Sequence, residues 1–152
     1  MEIEKTAMFI GHSKIYTDIS NTITPLLTTL IENGVDTFLN GGMGDFDNRC
    51  AYYIKLMKEK YPHIKHYMVL PYPNYKVYRD FMNFDRNIFD DSIYPDLEEC
   101  YFKAIIPKRN EWMIKNSKYA VCYVNHDWGG AAKTYKKAVK RGLITINIAE
   151  GI

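Results

Sequence analysis

The 152-residue sequence is short of most features that would take it out of the ordinary globular class. No apolar run approaches the ~18 residues of a membrane span. The first residues, Met1-Glu2-Ile3-Glu4-Lys5, carry acids and no apolar core, so they do not read as a secretory signal. Cysteine is scarce: Cys50, Cys100 and Cys122 are odd in number, widely separated and without metal-ligand spacing. That pattern suits a reducing compartment better than a disulfide framework. A cytoplasmic protein with no metal and no cofactor is the expectation. Net charge is only +2, too little to imply nucleic acid or an anionic membrane as a partner. Repeats, low-complexity tracts and linkers are also missing, and one domain over residues 1–152 is expected.

What is present suits a packed core. A 47% hydrophobic content beside 25% charged residues is normal for a soluble domain. At this length a chain buries roughly two-thirds of its unfolded surface. The 13 tyrosines are an excess, best accommodated with rings buried and hydroxyls wet, though some are free to stack on a ligand base.

The chain is organised around Thr37-Phe38-Leu39-Asn40-Gly41-Gly42-Met43-Gly44-Asp45-Phe46-Asp47. A short apolar run passes through three glycines and ends in two acids. Apolar residues then fall at Phe46, Cys50, Tyr53, Ile54, Met57 and Tyr61, the period of a helix with one buried face. A strand, a glycine turn and a helix in succession place backbone N–H groups where a helix dipole favours an anion. Two readings stand: glycines that let a phosphate approach, or a tight turn that needs them for geometry.

The same alternation runs through the rest. Thr6 to Ile10, closed by Gly11, reads as a strand covered on both faces. Ile19, Ile23, Leu26, Leu27, Leu30 and Val35 form a helical stripe stopped by Asn33-Gly34. Pro25 lies within it, either as first helical residue after a Thr24 cap or inside a longer helix. His66 to Leu70 is the third strand. Residues 74–94 are aromatic with weak period, consistent with a short helix and a short strand near Ser92-Tyr94. Glu98 to Ser117 is helical in composition with a break at Pro107. Tyr119 to Val124 is the clearest strand, followed by a helix with Ala131, Tyr135, Ala138 and Val139 inward and Gly142 at its end. Leu143 to Ile148 is the last strand. This order predicts an α/β fold, a Rossmann-like three-layer sandwich with a mainly parallel sheet.

In such sheets ligands sit beyond the carboxyl ends of the strands, where strand order reverses. Three loops there have informative residues: Gly11-His12-Ser13, Gly41 to Asp47, and His126 to Thr134. There is no G-x-G-x-x-G with an acid after the next strand, and no lysine follows Gly44, so the dinucleotide fingerprint and the ATPase loop both fail. Arg109 is positioned either to grip a phosphate or to pair with a surface acid. Asp45 and Asp47 serve as helix caps or as carboxylates of a site.

Four motifs, taken together, carry a resemblance. Gly11-His12, Gly41-Gly42-Met43-Gly44-Asp45-Phe46-Asp47, Arg109-Asn110-Glu111-Trp112-Met113 and Gly129-Gly130-Ala131-Ala132-Lys133-Thr134 resemble the signature set of the SLOG superfamily. That group includes YpsA-like proteins, LOG phosphoribohydrolases and DprA proteins, and the pattern is most like the YpsA-like branch. The resemblance spans Thr6 to Ile148 and implies a cleft for a nucleotide or nucleotide-derived ligand. It implies contacts from Gly11, His12, Ser13, Gly41, Gly42, Met43, Gly44, Asp45, Arg109, Asn110, Gly129, Gly130, Ala131 and Thr134. The sequence also departs from the family patterns. Ser13 replaces the arginine of the YpsA-like pattern, Trp128 replaces the LOG proline, and Lys136 or Lys137 stands where LOG enzymes carry a catalytic glutamate. Arg109 matches the LOG arginine, so half of that pair is missing.

The reading is a domain that binds or senses a nucleotide-type small molecule. The alternative is an N-glycosidic hydrolase or transferase, with Asp45, Glu111 and Arg109 as catalytic candidates. A second alternative is single-stranded DNA, through Lys133, Lys136, Lys137, Lys140 and Arg141, which a solvated basic face explains as well. No membrane partner is expected, and homo-oligomers are left open.

Overall fold

The computed structural model describes residues 1–151, the last two by backbone alone. Six strands form one sheet: β1 (Thr6–Gly11), β2 (Thr37–Asn40), β3 (Lys65–Val69), β4 (Asp91–Ile93), β5 (Tyr119–Tyr123) and β6 (Ile144–Asn147). Every pairing is parallel, in the order β4-β3-β2-β1-β5-β6. Five helices connect them: α1 (Ser20–Glu32), α2 (Asp45–Lys60), α3 (Lys76–Phe84), α4 (Ile105–Lys115) and α5 (Gly130–Arg141). The predicted Rossmann-like α/β architecture is what the chain adopts.

Side-chain alternation along β1 shows the three layers. Ala7 and Phe9 join a core built with Ile23 and Leu27 of α1 and Phe46, Cys50 and Ile54 of α2. Met8 and Ile10 point the other way, into a core with Met113 and Ile114 of α4 and Ala138 of α5. A third cluster seats Tyr78 and Phe81 of α3 against Met68, Ile88 and Phe89. Each fully buried large apolar side chain contributes roughly 1.5–3 kcal/mol, so the two faces of β1 anchor the fold.

Local differences from expectation have local causes. Helix α1 runs through Pro25 rather than starting there. Pro25 and Asn21 are both exposed, so the carbonyl that loses its partner meets water. Val35 lies past the helix end: Gly34 turns at φ 106 and the Val35 amide donates back to Leu30 at 3.0 Å. Helix α4 starts only at Ile105, after a 3-10 turn at Phe102–Ala104. Pro107 sits in its first turn, where a missing N–H costs nothing, so it opens the helix instead of breaking it. Val139 is half exposed, and Ala132 and Thr134 face inward in its place.

The chain steps outward from β1 to β4, then returns across the sheet to β5 on the other side of β1. That reversal puts the loops after β1 and β5 side by side, as a topological switch point requires. All three cysteines are free thiols. Among the described residues no helix is long and apolar enough to cross a membrane.

Candidate functional site

A cleft of about 720 Å³ opens at this reversal, within the range of small-molecule sites. Of the residues expected to bind, Gly11, His12, Ser13, Gly41, Met43, Arg109, Asn110, Gly129, Gly130, Ala131 and Thr134 line it. Gly42 and Gly44 face a separate groove of about 330 Å³ between α2 and α3. Asp45 and Glu111 lie outside the cleft. Asp45 Oδ2 accepts the Ile15 amide at 3.1 Å, and Glu111 pairs on the surface with Lys108 and Lys137 at 3.3 and 3.5 Å. Lys137, one of the two lysines at the LOG glutamate position, is thereby tied to an acid.

The two glycine loops differ in what their amides do. At the start of α2 the amides of Gly42, Met43, Asp45 and Phe46 are all taken. Their acceptors are Asn40 Oδ1 (2.8 Å), Asp47 Oδ2 (3.0 Å), the Ser13 carbonyl (2.8 Å) and the His12 carbonyl (3.4 Å). The glycines here serve packing. A Cβ on Gly44, which holds φ 90, would lie 2.4 Å from Ser13 Cα, and one on Gly11 would lie 2.2 Å from the Phe46 ring. Arg49 completes the join by donating to the Thr17 and Ile15 carbonyls at 2.7 and 2.9 Å. Helix α2 therefore holds the loop after β1, and its N-terminus has little left to offer an anion. Of the amides after Gly41, those of Gly44 and Asp47 are the ones for which no protein acceptor is found among the described residues.

Helix α5 is open. Gly129 turns at φ 90, and nothing lies within 4 Å of a Cβ built at Gly129 or Gly130. The first intrahelical bond runs from Lys133 N to the Gly129 carbonyl. Among the described residues no protein acceptor meets the amides of Gly130, Ala131 and Ala132. Three N–H groups are thus unclaimed at the positive end of a 12-residue helix, and two of their residues, Gly130 and Ala131, line the cleft.

Arg109 is the largest fully buried side chain. Its Nη1 donates to the Gly41 and Val69 carbonyls (2.9 and 2.8 Å), Nε to Asn110 Oδ1 (2.9 Å), and Nη2 to Met43 Sδ (3.0 Å). Burial lowers its pKa, against the opposing pull of Asp47. Asn110 continues the chain to Thr134 Oγ1 (3.2 Å), which donates to the Gly130 carbonyl (2.9 Å). The arginine ties β2, β3 and α5 together, so its place is architectural. A buried arginine bonded to carbonyls has no sequence mark that separates it from a phosphate grip.

Three residues outside the expected ligand set stand out in the cleft. His126 stacks between His12 and Trp128, with ring centroids 3.6 and 3.8 Å away and interplanar angles of 11° and 17°. The Asn125 amide donates to His12 Nε2 at 3.0 Å, which puts the proton of the neutral ring on Nδ1. Burial, then the neighbouring His126, lower the His12 pKa. Trp128 is 69% exposed. The third residue is Asp47, whose carboxyl is raised from 3.8 to about 7 by burial, against the Met43 amide and the Arg109 charge. Its place as third residue of a helix after a glycine turn was the available signal, shared with any capping aspartate. Among the described residues no group of three His, Cys, Asp or Glu side chains is placed to hold a metal ion.

The model of the YspA SLOG family matches residues 6–145. No curated protein matches the chain in sequence. Among solved structures, the chain is similar to DNA processing protein A (DprA) from Streptococcus pneumoniae, with a TM-score of 0.62 and 14% identity. The likeness covers 93% of this chain and 49% of that one, so this chain spans about half the length of its structural neighbour.

Proposed function

Since the chain belongs to the YspA SLOG family, we propose that it binds a nucleotide-type small molecule in this cleft, with an anionic group on the first turn of α5. The observation that carries the reading is the set of unclaimed amides at Gly130, Ala131 and Ala132, set beside the switch point of the sheet. The His12–His126–Trp128 stack adds a flat, partly exposed wall suited to a base. In this reading the described residues, 1–151, act as one binding domain. Lys133, Lys136, Lys137, Lys140 and Arg141 are exposed on α5 and none lines the cleft, so single-stranded DNA is not the reading put forward.

The test is titration of AMP and other nucleoside mono- and diphosphates by calorimetry and thermal shift. A ligand at a hundred times its Kd stabilises the fold by about 2.7 kcal/mol. Gly130→Pro removes one amide at a position where proline suits a helix, and it should leave the fold intact while weakening AMP. Absence of binding across the series overturns the reading.

A second reading, release of base from a nucleoside monophosphate, has one observation in its favour. Asp47 is a cleft carboxyl with a pKa of about 7, near where a general acid or base works best. Free base in chromatograms that disappears in Asp47→Asn would establish turnover.

A further inference from the structure

We infer that Asp47 accepts a hydrogen bond from a sugar hydroxyl of the ligand, so that the cleft selects a sugar phosphate over phosphate alone. The inference rests on the nucleotide reading above. Asp47 is 7% exposed and lines the cleft. Its Oδ2 accepts the Met43 amide at 3.0 Å, and its Oδ1, buried, meets no partner.

Capping does not account for this carboxylate. One oxygen satisfies Met43, and an asparagine would do that without burying a charge. Arg109 attracts it through space but does not bond to it, because the guanidinium donates to Gly41, Val69, Asn110 and Met43 instead. A buried acceptor left unpaired is costly, and native structures rarely keep one without a use. Asp47 lines the cleft, and a ligand seated against it is the source of a donor once it reaches the buried oxygen. An apolar ligand group would leave Oδ1 unpaired, and a second anionic group would be repelled. A hydroxyl satisfies it, and a sugar phosphate supplies that hydroxyl together with the anion for α5.

The experiment is calorimetry of ribose 5-phosphate and inorganic phosphate with wild type and Asp47→Asn, folding checked by circular dichroism. At pH 8, where Asp47 is ionised, loss of the carboxylate removes a negative charge from the cleft, so inorganic phosphate should bind the variant equally well or more tightly. Ribose 5-phosphate should bind it about tenfold or more weakly, because a charge-assisted hydrogen bond is lost. Asp47→Ala, with no polar group to substitute, should show the same split. Ribose 5-phosphate affinity unchanged in both variants, or both probes weakened in parallel, overturns the inference and leaves the nucleotide reading standing. If neither probe nor AMP binds the wild type, the nucleotide reading falls and takes the inference with it.

Discussion

Asp47→Asn is expected to stabilise the protein above neutral pH, an uncommon direction for a change at a buried position. Burial raises this carboxyl from 3.8 to about 7, with the attraction of Arg109 already counted against the shift. Between those values the folded chain holds a proton that the unfolded chain has lost. Stability from this group therefore falls as pH rises through the window, and the full cost is present above it. At about 1.4 kcal/mol per tenfold change in proton affinity, a rise from 3.8 to about 7 puts that cost at roughly 4 kcal/mol. Asparagine matches the neutral carboxyl in shape and still accepts the Met43 amide. It should recover up to roughly 4 kcal/mol at pH 8 and almost nothing near pH 4. A wild-type pH scan alone would hide the effect. His66, enclosed by Phe9 and Phe89, is pushed from 6.5 down to about 3 by burial. In that interval its unfolded form binds the extra proton, so its contribution rises with pH and opposes that of Asp47. The assay is urea unfolding of both proteins at pH 4, 6 and 8. A variant less stable than wild type at pH 8, or a gap that does not change with pH, would refute the reasoning.

Gly44→Ala should cost more than about 3 kcal/mol, combining left-handed strain with a Cβ driven into Ser13; a thermal melt within a degree of wild type would show that the loop yields. Arg109→Ala should lower stability by about 3–5 kcal/mol, since it strands the Gly41 and Val69 carbonyls and opens a void. An unchanged melting temperature with weakened AMP binding would instead make Arg109 a ligand contact. His66→Gln in the Asp47→Asn background should remove the remaining slope between about pH 6.5 and 4. Unfolding data that still rise across that interval would place the slope on another group.

The layers were legible because their causes are periodic. Alternation at Ala7-Met8-Phe9-Ile10 and the stripe from Phe46 to Met57 each specify a buried face, whatever the contacts turn out to be. Even the aromatic segment yields the short helix Lys76–Phe84 and the strand Asp91–Ile93 where they were expected. The glycine motifs were harder to read, because a glycine demanded by close packing looks the same as one demanded by a ligand. Gly44 is wedged against Ser13, and Gly129 has open space around it. Only long-range contacts separate the two. Arg109 and Asp47 were ambiguous for a related reason: which donors and acceptors remain unclaimed depends on partners such as Val69, 40 residues away in the chain.

The stack of His12, His126 and Trp128 also gives the protein an internal optical signal. The chain has two tryptophans, and Trp112 packs, half-buried, against the α4–α5 core. Trp128 is the one in van der Waals contact with an imidazole and open to solvent at the cleft. An imidazole quenches indole emission at contact distance, and more strongly once protonated. A ligand that parts the rings should brighten and shift the emission of Trp128 and leave Trp112 as an internal reference. Occupancy of the cleft can then be followed in the unlabelled protein, with Trp128→Phe as the blank.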